Sequence, residues 1–138
     1  MEWDVRFDAA FATEAKEFPR AAQLEIAALA GLLQRFGPQL RRPHCDTLNG
    51  SKHANMKELR PGSTGRTEVR VLFAFDKARS AIMLVGGDKS AHWKSWYEIN
   101  IPIADDRLDA HQHSLEDKVS EAPGTSRGAK QRKGQKRR

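Results

Sequence analysis

The chain of 138 residues has a single cysteine, Cys45, and a single tyrosine, Tyr97. One thiol excludes an internal disulfide, which fits a reducing compartment. Long apolar runs are missing too. The longest fall far short of the roughly 20 residues that span a bilayer, so no membrane insertion is expected. The opening residues, Met1-Glu-Trp-Asp-Val-Arg-Phe7, lack a basic region followed by an apolar stretch. No secretory signal is therefore expected, and the chain reads as cytoplasmic. Hydrophobic residues make up only 38% of the chain. Most of the chain also lacks a surplus of charge. Residues 1–113 carry 16 Lys+Arg against 15 Asp+Glu, a net charge of +1. Residues 114–138 carry 8 against 3, a net charge of +5, and so hold most of the overall +6. A basic surplus points to a polyanionic partner, but here it belongs mainly to the C-terminal segment.

Metal and phosphate-loop patterns are absent as well. His44-Cys45 with His53, and His111-Gln-His113, match no standard zinc spacing, so no metal and no cofactor is expected. Gly86-Gly-Asp-Lys-Ser90 lacks the first glycine and the four-residue spacer of a phosphate loop.

What is present reads as a small α+β domain over residues 1–113. Alternation in Trp3-Asp-Val-Arg-Phe7 predicts a strand with one buried face. Asp8 is a good N-cap for a helix over residues 9–18, and Pro19 is placed to open a second helix that stops at Gly37-Pro38. These two helices are expected to form a hairpin. Residues 40–52 are polar and hold Pro43, Asn49 and Gly50, so they read as a loop. Three strands are expected at 55–60, 67–76 and 80–86, joined by a loop at 61–65 and a tight turn at 76–79. Connections this short favour antiparallel pairing. A last helix is expected over residues 92–109, interrupted or delayed by Pro102. The order is β-α-α-β-β-β-α, with an antiparallel sheet and helices packed on one face. From residue 114 apolar content collapses, so 114–138 is expected to be a basic, disordered tail.

The chemistry is concentrated between Asn55 and Tyr97. Arg70 lies in the apolar run Glu68-Val-Arg-Val-Leu-Phe-Ala-Phe75. By alternation it shares a face with Leu72 and Ala74, while Val69, Val71, Phe73 and Phe75 form the obvious core face. Arg70 is thus either a phosphate ligand or a solvated arginine on an open sheet face. Lys57 and Arg60 lie three apart on the preceding strand, so they point to opposite faces. Met56 and Leu59 disagree in parity, which leaves the core face of that strand open. Glu58 reads as a base, an ion-pair partner of Arg70, or a surface carboxylate. After the Gly86-Gly87 break come Lys89, His92 and Lys94. The lysines suit phosphate contacts, and the histidine suits acid–base work near neutral pH. Trp93, Trp96 and Tyr97 either stack on a nucleotide base or pack the last helix.

Together, Met56-Lys-Glu-Leu-Arg60, Arg70-Val-Leu-Phe-Ala-Phe-Asp76, Ala81-Ile-Met-Leu-Val-Gly-Gly-Asp-Lys-Ser90 and Trp93-Lys-Ser-Trp-Tyr97 resemble the RelE/HigB-like toxins of toxin–antitoxin modules. The branch resembled is that of phage Gp49-like proteins. The resemblance covers about residues 2–113. It implies a microbial-ribonuclease-like sheet and a metal-independent endoribonuclease that cleaves mRNA, in many members on the ribosome. It also implies an antitoxin partner, often of the helix-turn-helix type. On this resemblance Arg70, Lys89, His92, Tyr97 and Lys57 are the expected catalytic set. Arg60, Lys94 and Trp96 are the expected substrate contacts. ParE-type cousins share the fold and inhibit DNA gyrase instead, so fold does not settle function. A non-catalytic nucleic-acid-binding protein is the third reading.

Overall fold

The computed structural model describes residues 2–61, 68–90 and 92–120. It contains β1 (Asp4–Phe7), α1 (Ala9–Ala15), α2 (Arg20–Phe36), a 3-10 turn (Gly37–Gln39), β2 (Cys45–Thr47), β3 (Met56–Leu59), β4 (Val69–Phe75), β5 (Ser80–Asp88) and α3 (Trp93–Ser120). The strands form one sheet in the order β1-β5-β4-β3-β2. The β2–β3, β3–β4 and β4–β5 pairs are antiparallel. β1 pairs with β5 in parallel, so the sheet is mixed. A parallel pair needs a crossover, and the α1–α2 hairpin supplies it.

Local chemistry explains the helical hairpin. The Asp8 carboxylate accepts from the Phe11 backbone N–H at 3.1 Å and caps α1. Pro19 sits at the start of α2, where a missing N–H costs nothing. α2 ends at Gly37, whose φ is +56°. A Cβ there would lie 2.5 Å from Trp3 Nε1, so the close approach of the indole requires glycine.

The sequence reading packed the helices on one face of the sheet; in the structure they lie on both. Phe11, Ile26, Leu29 and Leu33 of the hairpin pack with Leu59, Val71, Phe73 and Met83 on one side of the sheet. Ile101, Ala104 and Leu108 of α3 pack with Met56, Leu72, Ala74, Ile82 and Leu84 on the other. Both faces of β4 are therefore buried, which its near-continuous apolar run allows. A register shift after Leu72 pairs Leu72 with Val85 and Phe73 with Met83. The extra residue, Leu84, joins Val85 on the α3 side.

α3 is continuous from Trp93 to Ser120 with Pro102 inside it. Proline removes the bond to the Glu98 carbonyl, but both residues are exposed, so water can reach that carbonyl. The helix also passes His113, where the sequence placed the start of the tail. Residues 121–138 of the expected tail, and the expected 61–65 loop apart from Pro61, lie outside the described residues.

Polar ties fix α3 against the sheet. Arg107 donates to both Glu14 oxygens at 2.9 and 2.7 Å and to the Leu84 carbonyl at 2.8 Å. Asp105 accepts from Ser51, and Asp109 from His53 at 2.8 Å. Asp76 holds the β4–β5 turn through the backbone N–H groups of Ala78 and Ser80 and also meets His111 at 2.7 Å.

Candidate active site

The open sheet face considered for Arg70 does not exist, because α3 covers it. Arg70 is 5% exposed. Its Nη1 donates to the Val69 carbonyl at 2.9 Å, and its Nη2 stands 3.5 Å from Glu68 Oε1. Its Nε has no acceptor among the described residues. A buried guanidinium with so little compensation is costly to keep. Groups of that kind are candidates for function.

Three elements bring partners to it. On β3, Glu58 lies across from Leu72 and so faces the same side as Arg70. Glu58 is 6% exposed, which removes the surface-carboxylate reading. One of its oxygens accepts from the Tyr97 hydroxyl at 2.5 Å, and the other accepts from Arg60 at 2.9 Å. Its direct partners are therefore Tyr97 and Arg60. On α3, Tyr97 heads the stripe continued by Ile101, Ala104 and Leu108, which seats the ring in the core with its hydroxyl at the edge. Burial, then the bond to the Glu58 carboxylate, raise the Tyr97 pKa far above the ordinary phenol value, while neighbouring Arg70 opposes this. Tyr97 is thus a neutral hydrogen-bond donor. Just past the end of β5, Lys89 donates to Glu68 at 2.7 Å and holds that carboxyl below its usual range.

Gly87 makes room for the aromatic cover. It pairs with Arg70 across the β4–β5 ladder. A Cβ on Gly87 would lie 2.7 Å from Trp96 Nε1, so the indole rests directly on the strand. Trp96 in turn meets Tyr97 edge to face at 5.1 Å.

Arg70, Arg60, Lys89, Tyr97 and Trp96 are thus gathered on one face. Lys57, expected with them, lies on the other face. It pairs with Phe73, so strand alternation turns it to the hairpin side of the sheet. His92 and Lys94 are exposed at the start of α3, and their side chains make no hydrogen bond or ion pair among the described residues. Sequence reasoning missed Glu68. The signal was available: Glu68 and Arg70 are two apart on a strand, and a buried cation calls for a carboxylate on its own face.

A mixed five-stranded sheet clasped between a helical hairpin and a long C-terminal helix defines the class: a RelE-like α+β toxin fold. A solved structure of an E. coli toxin RelE mutant in the free state is similar with a TM-score of 0.51 and 12% identity, over 69% of this chain and 93% of that chain. At that identity the likeness speaks for the fold alone. Residues 13–109 match the family described as phage derived protein Gp49-like. Two proteins of Mycobacterium tuberculosis are similar in sequence. "Putative toxin HigB2" is 52% identical over 95 residues, 69% of this chain and 47% of that protein. "Putative toxin HigB3" is 52% identical over 88 residues, 64% of this chain and 75% of that protein. The chain therefore spans about half the length of HigB2 and three quarters of HigB3. It belongs to the Gp49-like family, among the RelE/HigB-like toxins. No helix among the described residues is long and apolar enough to cross a membrane.

Proposed function

We propose that the protein is the toxin of a toxin–antitoxin pair and acts in the cytoplasm as a metal-independent endoribonuclease on mRNA, in association with the ribosome. The observation that carries this reading is the buried Arg70 guanidinium, flanked on one sheet face by Arg60, Lys89 and the Tyr97 hydroxyl. In metal-free cleavage the ribose 2′-OH gives its proton to a base and attacks the adjacent phosphorus, the P–O5′ bond breaks, and the 5′-oxygen leaves protonated beside a 2′,3′-cyclic phosphate. The negative charge that grows on the phosphate oxygens then needs fixed cations and donors. Arg70 is assigned to that phosphate, because a guanidinium donates two parallel bonds and stays charged. Arg60 and Lys89 each already hold a carboxylate and can turn to a phosphate as it enters. Tyr97 is assigned to positioning the nucleotide. Trp96 lies over Gly87, so it is assigned both to covering Arg70 and to stacking on a base once displaced. His92 and Lys94 are assigned to outer RNA contacts, with His92 free for proton transfer. The partner is assigned as an antitoxin of the helix-turn-helix type, in keeping with the toxin names of HigB2 and HigB3.

The test is induced expression of wild type and Arg70→Ala, following growth and mapping new mRNA 5′ ends with and without a chelator. Wild type is expected to arrest growth and create new ends that persist under chelation. Loss of one preorganised donor of this kind costs about 10²–10³ in rate, so Arg70→Ala is expected to lose both effects. Arrest with intact mRNA would overturn the nuclease reading in favour of a gyrase-type inhibitor.

A further inference from the structure

The displaced Lys57 has a setting of its own. The 3-10 turn, the segment after it, β2 and Lys57 of β3 border an open concavity of about 420 Å³ at the edge of the sheet. Leu40, Arg41, Arg42, Cys45, Asp46 and Lys57 line it, with Pro38 and Thr47. Asp46 lies across from Glu58 in the β2–β3 ladder, and its carboxylate is engaged by Arg42 at 2.9 Å. Its negative charge is thus already matched. Cys45 is 3% exposed, and burial pushes its thiol up to about 11 against the pull of nearby Lys57, so it brings no charge at neutral pH. Two cations remain. The side chains of Arg41 and Lys57 make no ion pair or hydrogen bond among the described residues. Lys57 is half-buried, which restricts its reach and keeps it at the cavity wall.

A concave site with one acid already matched, two uncommitted cations and a neutral thiol suits an anion. β2 is the edge strand of the sheet. Arg60, on the other side, follows directly on β3 and bonds its backbone N–H to His44 at 2.8 Å. The cavity and the Arg70 face are therefore the two sides of one short edge. A strand of phosphodiesters that passes over this edge meets cations on both sides. Building on the nuclease reading, we propose that Arg41 and Lys57 form a second phosphate subsite, which holds the RNA backbone away from the bond to be cut.

The test uses the full chain and a single-stranded RNA made uncleavable by 2′-O-methylation. Its affinity is measured over a range of salt for wild type, Arg41→Gln/Lys57→Gln, Lys57→Arg and Arg70→Ala. One phosphate contact to a single strand adds about 0.7 to the salt slope, which is about a fivefold change in affinity at 0.1 M salt. The double variant is expected to bind about fivefold more weakly, with a slope lower by about 0.7 per phosphate released. Lys57→Arg is expected to bind as wild type, which separates lost charge from lost folding. If the double variant matches wild type while Arg70→Ala binds weakly, the subsite is wrong and the nuclease reading stands. If wild type does not bind RNA, both fail. If the double variant keeps RNA but loses affinity for a polyglutamate peptide, the site belongs to an acidic protein partner and the proposal is overturned.

Discussion

Tyr97 donates its only hydroxyl to a carboxylate that is 6% exposed. The value of that bond lies less in its own strength than in what its removal leaves behind. Glu58 would keep Arg60 on one oxygen and lose the donor on the other. A buried acceptor left short costs about 1–3 kcal/mol. Tyr97→Phe is therefore expected to lower unfolding free energy by about that amount in urea, with an unchanged m value. The double variant Tyr97→Phe/Glu58→Gln should fall short of the sum of the two single losses, because both singles break the same bond. Additive losses would show that the hydroxyl and the carboxylate act separately. Half of this arrangement was legible in the sequence. An arginine in an apolar strand announces itself, and Tyr97 is the single tyrosine. The Glu58–Tyr97 contact joins residues 39 apart, and no local pattern encodes such a pairing.

At the level of elements, legibility followed period and length. Helices α1 and α2 and strands β4 and β5 were readable because their apolar spacing runs for several residues, whereas in β3 Met56 and Leu59 disagree in parity because both faces of the sheet are buried. β2 was not: Cys45–Thr47 is three residues inside a polar stretch, too short to show alternation. The parallel seating of β1 beside β5 depends on a crossover and has no local signature. α3 hid its covering role because its apolar stripe is interrupted by Pro102 and by the polar residues that tie it down. One of those ties is open to a pH test. Arg107 hydrogen-bonds the Glu14 carboxyl and holds it below its usual value of 4.5. A carboxyl with a depressed folded-state pKa adds stability above its unfolded pKa, and that contribution fades as pH falls through the folded value. Glu14→Gln is thus expected to be less stable than wild type at pH 7, by a fraction of about 1 kcal/mol, since the Glu14 side chain is 45% exposed and water screens the pair. The gap should close as pH falls below 4.5. Urea titrations of both proteins at pH 7 and pH 3 read this directly. A gap that persists at pH 3 would assign the effect to packing of the glutamate stem.

For the whole molecule, the net charge is concentrated at one end of the chain. Residues 121–138 hold seven Lys+Arg and one Glu, a net charge of +6, so their removal takes the chain from +6 to zero. Among the described residues, the buried apolar clusters draw on positions up to Leu108 and on none beyond it. A chain ending at Ser120 is therefore expected to keep the melting temperature of the full protein. On the proposed nuclease reading, its affinity for RNA should behave differently. If each of the seven cations neutralises one phosphate, the salt slope falls by up to about 5, at about 0.7 per contact on a single strand. Such contacts are indifferent to sequence, so positions of cleavage should be unchanged while the RNA concentration needed for cleavage rises. Salt-dependent binding and end mapping, run side by side on the two chains, separate these effects. An unchanged slope would place the electrostatic footprint on the folded domain, where Arg41, Arg42, Lys57, Arg60, Arg70, Lys89 and Lys94 would have to supply it. A shift in cleavage positions would instead mean that the basic segment selects the site of cutting, a role that charge alone does not give it.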